Sequence, residues 1–166
     1  MTPADLRIGQ GFDVHRFSDD PERVLVLGGC VFPGVPGLVG HSDADAVAHA
    51  CADAVLGAVG LGDIGMHFPD TDDRWSGASS IDLLRRVREL VAGEGWSVVN
   101  VDCAVICERP KLAPRREEMQ ERLSAAVGAP VSVKGNRAEG LGALGRSEGV
   151  ACLAVALVLR TRPEGA

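Results

Sequence analysis

The chain has no tyrosine, four Phe and two Trp among 166 residues, so its core must be built mainly from Val, Leu and Ala. Small side chains each bury little area, which favours burial between subunits as a supplement to stability. The formal charge is −6 and no run of Lys or Arg occurs, which excludes non-specific nucleic-acid binding through phosphate contacts. An anionic substrate then needs local cations: metal ions, a few Arg or Lys, or helix N-termini. No segment reaches the ~18 continuous apolar residues of a membrane span. Met1 to Asp5 shows no basic stretch leading into an apolar one, so no export signal is read and a cytoplasmic protein is expected. No Cys-x-x-Cys pair is present. The five cysteines (Cys30, Cys51, Cys103, Cys107, Cys152) are odd in number and sit in apolar runs, which reads as buried reduced thiols rather than disulfides or a zinc knuckle. Also missing are a Gly-x-x-x-x-Gly-Lys phosphate loop, a Gly-x-Gly-x-x-Gly fingerprint after a strand, and a Ser or Cys in a nucleophile elbow. These absences point to a metal-based rather than a covalent site.

What is there fits one domain over residues 1–166, with its core at about 6–160 and 46% apolar residues to fill it. A strand is expected from Leu6 to Val14 with Val14 facing the core, then a short apolar run, Val24 to Leu27, closed by Gly28-Gly29, and a loop marked by Gly34, Pro36 and Gly37. A helix from Asp43 to about Gly60 carries Val47, Ala50, Cys51, Ala54 and Ala58 on one stripe, with Ser42 and Asp45 at capping-box spacing. Asp45, His49 and Asp53 fall on nearly the opposite side. A Gly-, Asp- and Ser-rich loop reaches about Ser79, and a second helix starts at Ser80 with Ile81, Leu84, Val87 and Val91 inward. Ser97 to Cys107 alternates as a strand, with Val99, Val101, Cys103, Val105 and Cys107 on one side. A third helix (about Arg115 to Val127) and strands at Val131–Lys134 and Val150–Leu159 follow. The expected fold class is α/β (α+β), a single mixed sheet packed against helices.

Asp13-Val14-His15 is the strongest local signal. In an extended chain residues i and i+2 point the same way, so a carboxylate and an imidazole converge. That begins a zinc site, although catalytic zinc takes three protein ligands and leaves one position open. From these two residues alone, a polar pair at a strand end is the plainer reading. His49, flanked one turn away by Asp45 and Asp53, offers a third ligand whose second ring nitrogen either Asp could orient. From His49 alone, a surface histidine paired with its helix neighbours is the plainer reading. His41-Ser42 precedes the same helix, where free N–H groups favour an anion or Ser42 simply caps. Asp63-Ile64-Gly65 and Phe68-Pro69-Asp70-Thr71-Asp72 read as a solvated loop until another residue gives them a role. Lys134-Gly135-Asn136-Arg137-Ala138-Glu139 could hold phosphates and a second cation, or be an exposed hairpin.

Taken together and in this order, Arg7 to His15, His41-Ser42-Asp43-Ala44-Asp45, Gly62 to Gly65 and Phe68 to Asp72 closely resemble the 2-C-methyl-D-erythritol 2,4-cyclodiphosphate synthases, over about Arg7 to Leu159. The resemblance implies a homotrimer with its sheets around a central axis and three active sites at subunit interfaces. It implies conversion of 4-diphosphocytidyl-2-C-methyl-D-erythritol 2-phosphate to the cyclic diphosphate and CMP, in the non-mevalonate route to isoprenoid precursors. The cofactors implied are zinc and a second cation, magnesium or manganese. Asp13, His15 and His49 match the zinc ligands, with Asp13 and His15 also beside the substrate. His41 matches a transition-state-stabilising histidine, and Ser42 lies beside the phosphates. Asp63, Ile64, Gly65 and Phe68, Pro69, Asp70, Thr71, Asp72 match segments that hold the methylerythritol part. Cys107, Glu108, Arg109, Pro110, Lys111, Leu112 and Ala113 match the cytidine loop, and Glu139 the magnesium-side carboxylate.

Two departures stand out. Asn136-Arg137-Ala138 replaces a Thr-rich run, and Arg137 falls where a threonine helps stabilise the transferring phosphoryl group, a role a guanidinium could take in a different geometry. Ala143 and Ser147 interrupt a segment usually read Gly-Phe-Thr-Gly-Arg-Gly-Glu-Gly, in which the Phe position and Arg146 line a central cavity for an isoprenoid diphosphate. The alternatives are a metal-dependent phosphoesterase and a trimeric metal-containing binding module.

Overall fold

The structure is a computed structural model, and it describes residues 5–161. Strands β1 (Leu6–Arg16), β4 (Trp96–Ile106), β5 (Val131–Asn136) and β6 (Gly149–Arg160) form one four-stranded sheet in the order β1-β6-β4-β5. The first three strands pair antiparallel and β4/β5 pair parallel, so the sheet is mixed, as expected. Helices α1 (Ala46–Val59), α3 (Ser80–Gly93) and α4 (Arg116–Val127) lie side by side on one face, α1 over β1 and β6, α3 over β4, α4 over β5. Two single-turn helices, α2 (Ile64–His67) and α5 (Gly142–Gly145), punctuate the loops.

The expectation of one sheet is incomplete. A separate hairpin joins β2 (Val24–Leu27) to β3 (Cys30–Pro36), where a loop was read. Gly28-Gly29 is its two-residue turn, with φ of 58° and 73°, the left-handed pair that matches the twist of a hairpin. Pro33 and Pro36 disguised β3, yet prolines are tolerated on a strand with a free edge.

Helix α1 explains how the sequence assembles its centre. Ten of its residues are buried, so it is apolar on nearly every side rather than along one stripe. Ala50, Ala54 and Ala58 lie against Gly9 and Gly11 of β1, where a Cβ would come within 2.0 Å of the Ala54 and Ala50 carbonyl oxygens. Helix and strand therefore touch backbone to backbone. Along β1, residues 9, 11, 13 and 15 share the face toward α1: two glycines that admit the helix, then Asp13 and His15.

Two expectations about packing are corrected. Val14 is 52% exposed, because the side of β1 that alternation gives it is not the helix-covered one. Val99 is also exposed, because a bulge between Val98 and Asn100 puts it out of register with Val101, Cys103 and Val105, which are buried. Ile81, Leu84, Val87 and Val91 are buried as read, and all five cysteines are buried and free.

The cap of α1 is Asp45, not Ser42. Its carboxylate accepts from Val47 and Ala48 N–H at 3.1 and 3.2 Å, and from Gly28 and Gly29 N–H at 2.8 and 2.6 Å. One fully buried side chain thus caps the helix and pins the hairpin turn to it.

Candidate metal centre and basic cleft

Asp13 and His15, two apart on β1, point toward α1 where His49 meets them. His15 Nε2 is 2.9 Å and His49 Nδ1 is 3.2 Å from Asp13 Oδ2, and the two ring nitrogens are 3.3 Å apart. These three donor atoms lie within 4.8 Å of one another and form the one such group among the described residues. One carboxylate and two imidazoles make a donor set that could hold a divalent metal ion. The outward nitrogens agree with that role. His15 Nδ1–H donates to the Val39 carbonyl at 2.7 Å, leaving the Nε2 lone pair for the centre. His49 Nε2 lies 2.8 Å from Ser80 Oγ and 3.2 Å from Ser42 Oγ. Neither Asp45 nor Asp53 orients His49, contrary to the spacing argument. Asp45 is engaged as the helix cap, and Asp53 accepts from Ile64 N–H at 2.7 Å.

Around the trio the chain is tied down. Arg23 donates to the carbonyls of Leu38, Gly40 and Ser42, clamping the loop that carries His41. His41 Nε2–H donates to the Asp72 carbonyl at 3.1 Å, and Gly77 N–H to the His41 carbonyl at 2.8 Å. The Asp72 end of the segment from Asp63 to Asp72 is thus held beside His41, while Asp63, Gly65, Asp70 and Thr71 are exposed. Asp63 caps α2 by accepting from Met66 N–H, Phe68 packs edge-on against Trp75 at 5.0 Å, and Asp72 holds Arg74.

A second feature sits elsewhere. A cleft of about 620 Å³ is lined by every residue from Cys107 to Ala113, with Val35, Arg116, Gly135, Asn136 and Arg137. Arg109, Lys111, Arg116 and Arg137 face it against one acid, Glu108, so this acidic chain concentrates positive charge here. Arg137 Nε and its terminal nitrogen donate to Glu108 Oε2 at 2.9 and 2.7 Å. Burial first, then the Glu108 charge, push the Cys107 thiol up to about 11, so it is protonated at neutral pH and no nucleophile. Lys134 turns away to pair with Asp102 on the sheet. Ala138 and Glu139 follow β5, Glu139 at a φ of 51°. Ala143 lies on α5 and Arg146 pairs with Glu148 at 2.6 Å. Ser147, where the resemblance expects glycine, is left-handed at φ 59°.

None of Asp13, His15, His41, Ser42 or His49 lines the cleft. Metal trio and cleft are separate places on one chain. Sequence reasoning missed Val35 and Arg116 in the cleft, and Arg23 and Ser80 behind the trio, none of which stands in a motif; Asp43 lies within the His41–Asp45 block but received no role of its own.

A sequence profile described as the YgbB family matches residues 6–159. The chain belongs to the YgbB family. A 2-C-methyl-D-erythritol 2,4-cyclodiphosphate synthase of Rubrobacter xylanophilus is 56% identical over 158 residues, covering 93% of this chain and 95% of that protein. A bifunctional enzyme IspD/IspF of Anaeromyxobacter dehalogenans is 54% identical over 163 residues, and there the chain spans only 42% of the relative's length. Among solved structures, the bifunctional IspDF of Campylobacter jejuni superposes with a TM-score of 0.88 at 37% identity, over 93% of this chain and 42% of that one. The Plasmodium falciparum IspF CDP complex superposes at 0.82 and 33% identity, over 97% and 100%. No helix among the described residues is long and apolar enough to cross a membrane.

The site predicts its own pH behaviour. Burial disfavours ionised Asp13, but hydrogen bonds and charge from His15 and His49 outweigh it and hold the carboxyl well below its usual range. Burial also pulls His15 down, and the bond and charge of Asp13 overcome it, so His15 lies above 6.5. Metal-free, the Asp13 contribution to stability is present above about pH 4 and lost as pH falls through its depressed pKa. The His15 contribution is fully present below about pH 6.5 and lost as pH rises through its raised pKa. A metal competes with that proton, so the rise in melting temperature on adding zinc is expected to grow from about pH 5.5 to 8. Thermal melts with zinc and with a chelator across this range check it; a pH-independent increment contradicts it.

Proposed function

We infer that this chain converts 4-diphosphocytidyl-2-C-methyl-D-erythritol 2-phosphate to 2-C-methyl-D-erythritol 2,4-cyclodiphosphate and CMP, in the methylerythritol phosphate route to isoprenoid precursors. The observation that carries the reading is the convergence of Asp13, His15 and His49 in a chain matched almost end to end by synthases of that name. The attacking group is the substrate's own 2-phosphate, already an anion, so no enzyme nucleophile is required. What remains is in-line positioning and relief of charge at the β-phosphorus. A divalent ion held by the trio, zinc in this reading, supplies Lewis-acid polarisation of a phosphate oxygen. His41 and Ser42 border that position on the clamped loop, and the segments Asp63–Gly65 and Phe68–Asp72 receive the methylerythritol part. The 107–113 cleft receives the cytidine, in keeping with a related structure described as a CDP complex. Glu139 is the carboxylate for the second cation, magnesium or manganese.

Arg137 takes the charge-stabilising place of the missing threonine, exchanging part of its bond to Glu108 for the diphosphate. Arg137→Ala is expected to lower turnover about 10²-fold with zinc content unchanged. Unchanged turnover contradicts the assignment.

Because trio and cleft are apart on one chain, the reading places each site between two subunits of a homotrimer. The sheet face opposite the helices supports it: Ile8 is 73%, Phe12 54%, Val14 52% and Val155 47% exposed. An uncovered apolar sheet face of this kind marks an association surface. Phe12→Glu is expected to leave monomer in light scattering and to remove turnover with it. A trimer that survives this substitution places the contact elsewhere. Titration of CDP into the zinc-loaded protein tests the nucleotide assignment: saturable binding lost in Lys111→Glu supports it, and no binding contradicts it.

A further inference from the structure

We propose that Asp43 and Ser80 form a positioning pair that fixes the ring orientation and tautomer of His49 as a metal ligand. The proposal rests on the reading of Asp13, His15 and His49 as a metal site. Ser80 is the first residue of α3 and is 1% exposed, with its Oγ 2.8 Å from His49 Nε2. Its hydroxyl also contacts Asp43 Oδ1, and its backbone N–H donates to Asp43 Oδ2 at 3.1 Å. Asp43 is itself held, accepting from Asp45 N–H at 3.2 Å and donating its own N–H to the Ala78 carbonyl at 3.0 Å.

Proton counting gives this chain of bonds a direction. An ionised carboxylate only accepts, so the single hydroxyl proton of Ser80 is committed to Asp43. The lone pairs of Ser80 Oγ then face His49, and a protonated Nε2 at 2.8 Å is the nearest group that satisfies them. That places the free lone pair of His49 on Nδ1, the nitrogen that faces Asp13 and His15. Ser42 supports the arrangement: its Oγ accepts from Ala44 N–H at 3.1 Å and lies 3.3 Å from Ser80 Oγ. Asp43 also polarises the imidazole through the hydroxyl, making Nδ1 a better donor to a cation. The device spans 37 residues of sequence between Asp43 and Ser80 and ties the start of α3 to the loop before α1.

Ser80→Ala, Ser80→Thr and Asp43→Asn in the full chain test it, with zinc affinity measured by competition against a chromophoric chelator and melting measured separately in excess EDTA. Ser80→Ala is expected to weaken zinc about 10–100-fold while keeping wild-type stoichiometry. Ser80→Thr, which keeps the hydroxyl, is expected to restore most of the affinity. Asp43→Asn, whose amide can donate to Ser80 and free its proton toward Nε2, is expected to weaken zinc as Ser80→Ala does. Wild-type affinity in Ser80→Ala overturns the proposal. So does a zinc loss fully accounted for by a lower melting temperature of the EDTA-treated variants. Failure of the site reading itself looks different: His49→Ala would then bind zinc with unchanged stoichiometry.

Discussion

Asp13→Ala and His49→Ala are each expected to abolish stoichiometric zinc binding and to lower turnover about 10²–10³-fold. The magnitude follows from the loss of several kcal/mol of Lewis-acid stabilisation, at about 1.4 kcal/mol per tenfold in rate. Asp13 touches both imidazoles, so its removal also takes away the group that holds His15 and His49 together. The two variants should therefore lose metal to a similar extent, although one ligand comes from β1 and the other from α1. Zinc content after desalting and initial rates at saturating magnesium check this. A variant that keeps full turnover with no bound zinc contradicts the assignment of the trio.

Gly11→Ala is expected to be comparably damaging with no ligand removed. The added Cβ would sit 2.0 Å from the Ala50 carbonyl oxygen and 2.6 Å from the Ala54 nitrogen, both backbone atoms that no rotamer change can move. Helix α1 must retreat by roughly an ångström or more, a strain of about 1–3 kcal/mol or more in a packed interior. His49 precedes Ala50 on that helix, so its Nδ1 would leave the position two residues along β1 from Gly11 where Asp13 waits. The expected outcome is a lower melting temperature together with zinc affinity weakened at least about tenfold. An equally tight zinc site in Gly11→Ala would mean that helix and strand can separate without moving the ligands. Gly34, beside which no atom lies within 4 Å, has no such neighbour to displace; its φ of 76° still favours glycine.

The same geometry shows what was legible in the sequence. Period-two spacing put Asp13 and His15 on one face, and the helical pattern put His49 on α1; both are local rules, and both survive folding. The long strands and three long helices follow from runs of apolar residues for the same reason, whereas strand order and the mixed pairing are set by long-range contacts and rest on the family resemblance instead. The partner of His49 Nε2 was not legible, since Ser80 lies 31 residues away and enters only because α3 packs beside α1. Asp45 looked like a polar-face neighbour of His49, but its carboxylate is fully buried among four backbone N–H groups, two of them from a hairpin turn far off in sequence. Strand β3 was hidden by its prolines. Val14 was placed in the core because one apolar residue between two polar ones usually points inward; the face it takes is bare in a single chain and becomes interior only in the proposed trimer.

The most direct test of the central claim is to supply the purified chain with zinc, magnesium and 4-diphosphocytidyl-2-C-methyl-D-erythritol 2-phosphate, following phosphorus NMR and CMP release together. The predicted result is the cyclic diphosphate appearing with stoichiometric CMP. Inorganic phosphate or an opened diphosphate would point to a phosphoesterase, and CDP bound tightly by a zinc-loaded trimer with no turnover would point to a binding module; either contradicts the account.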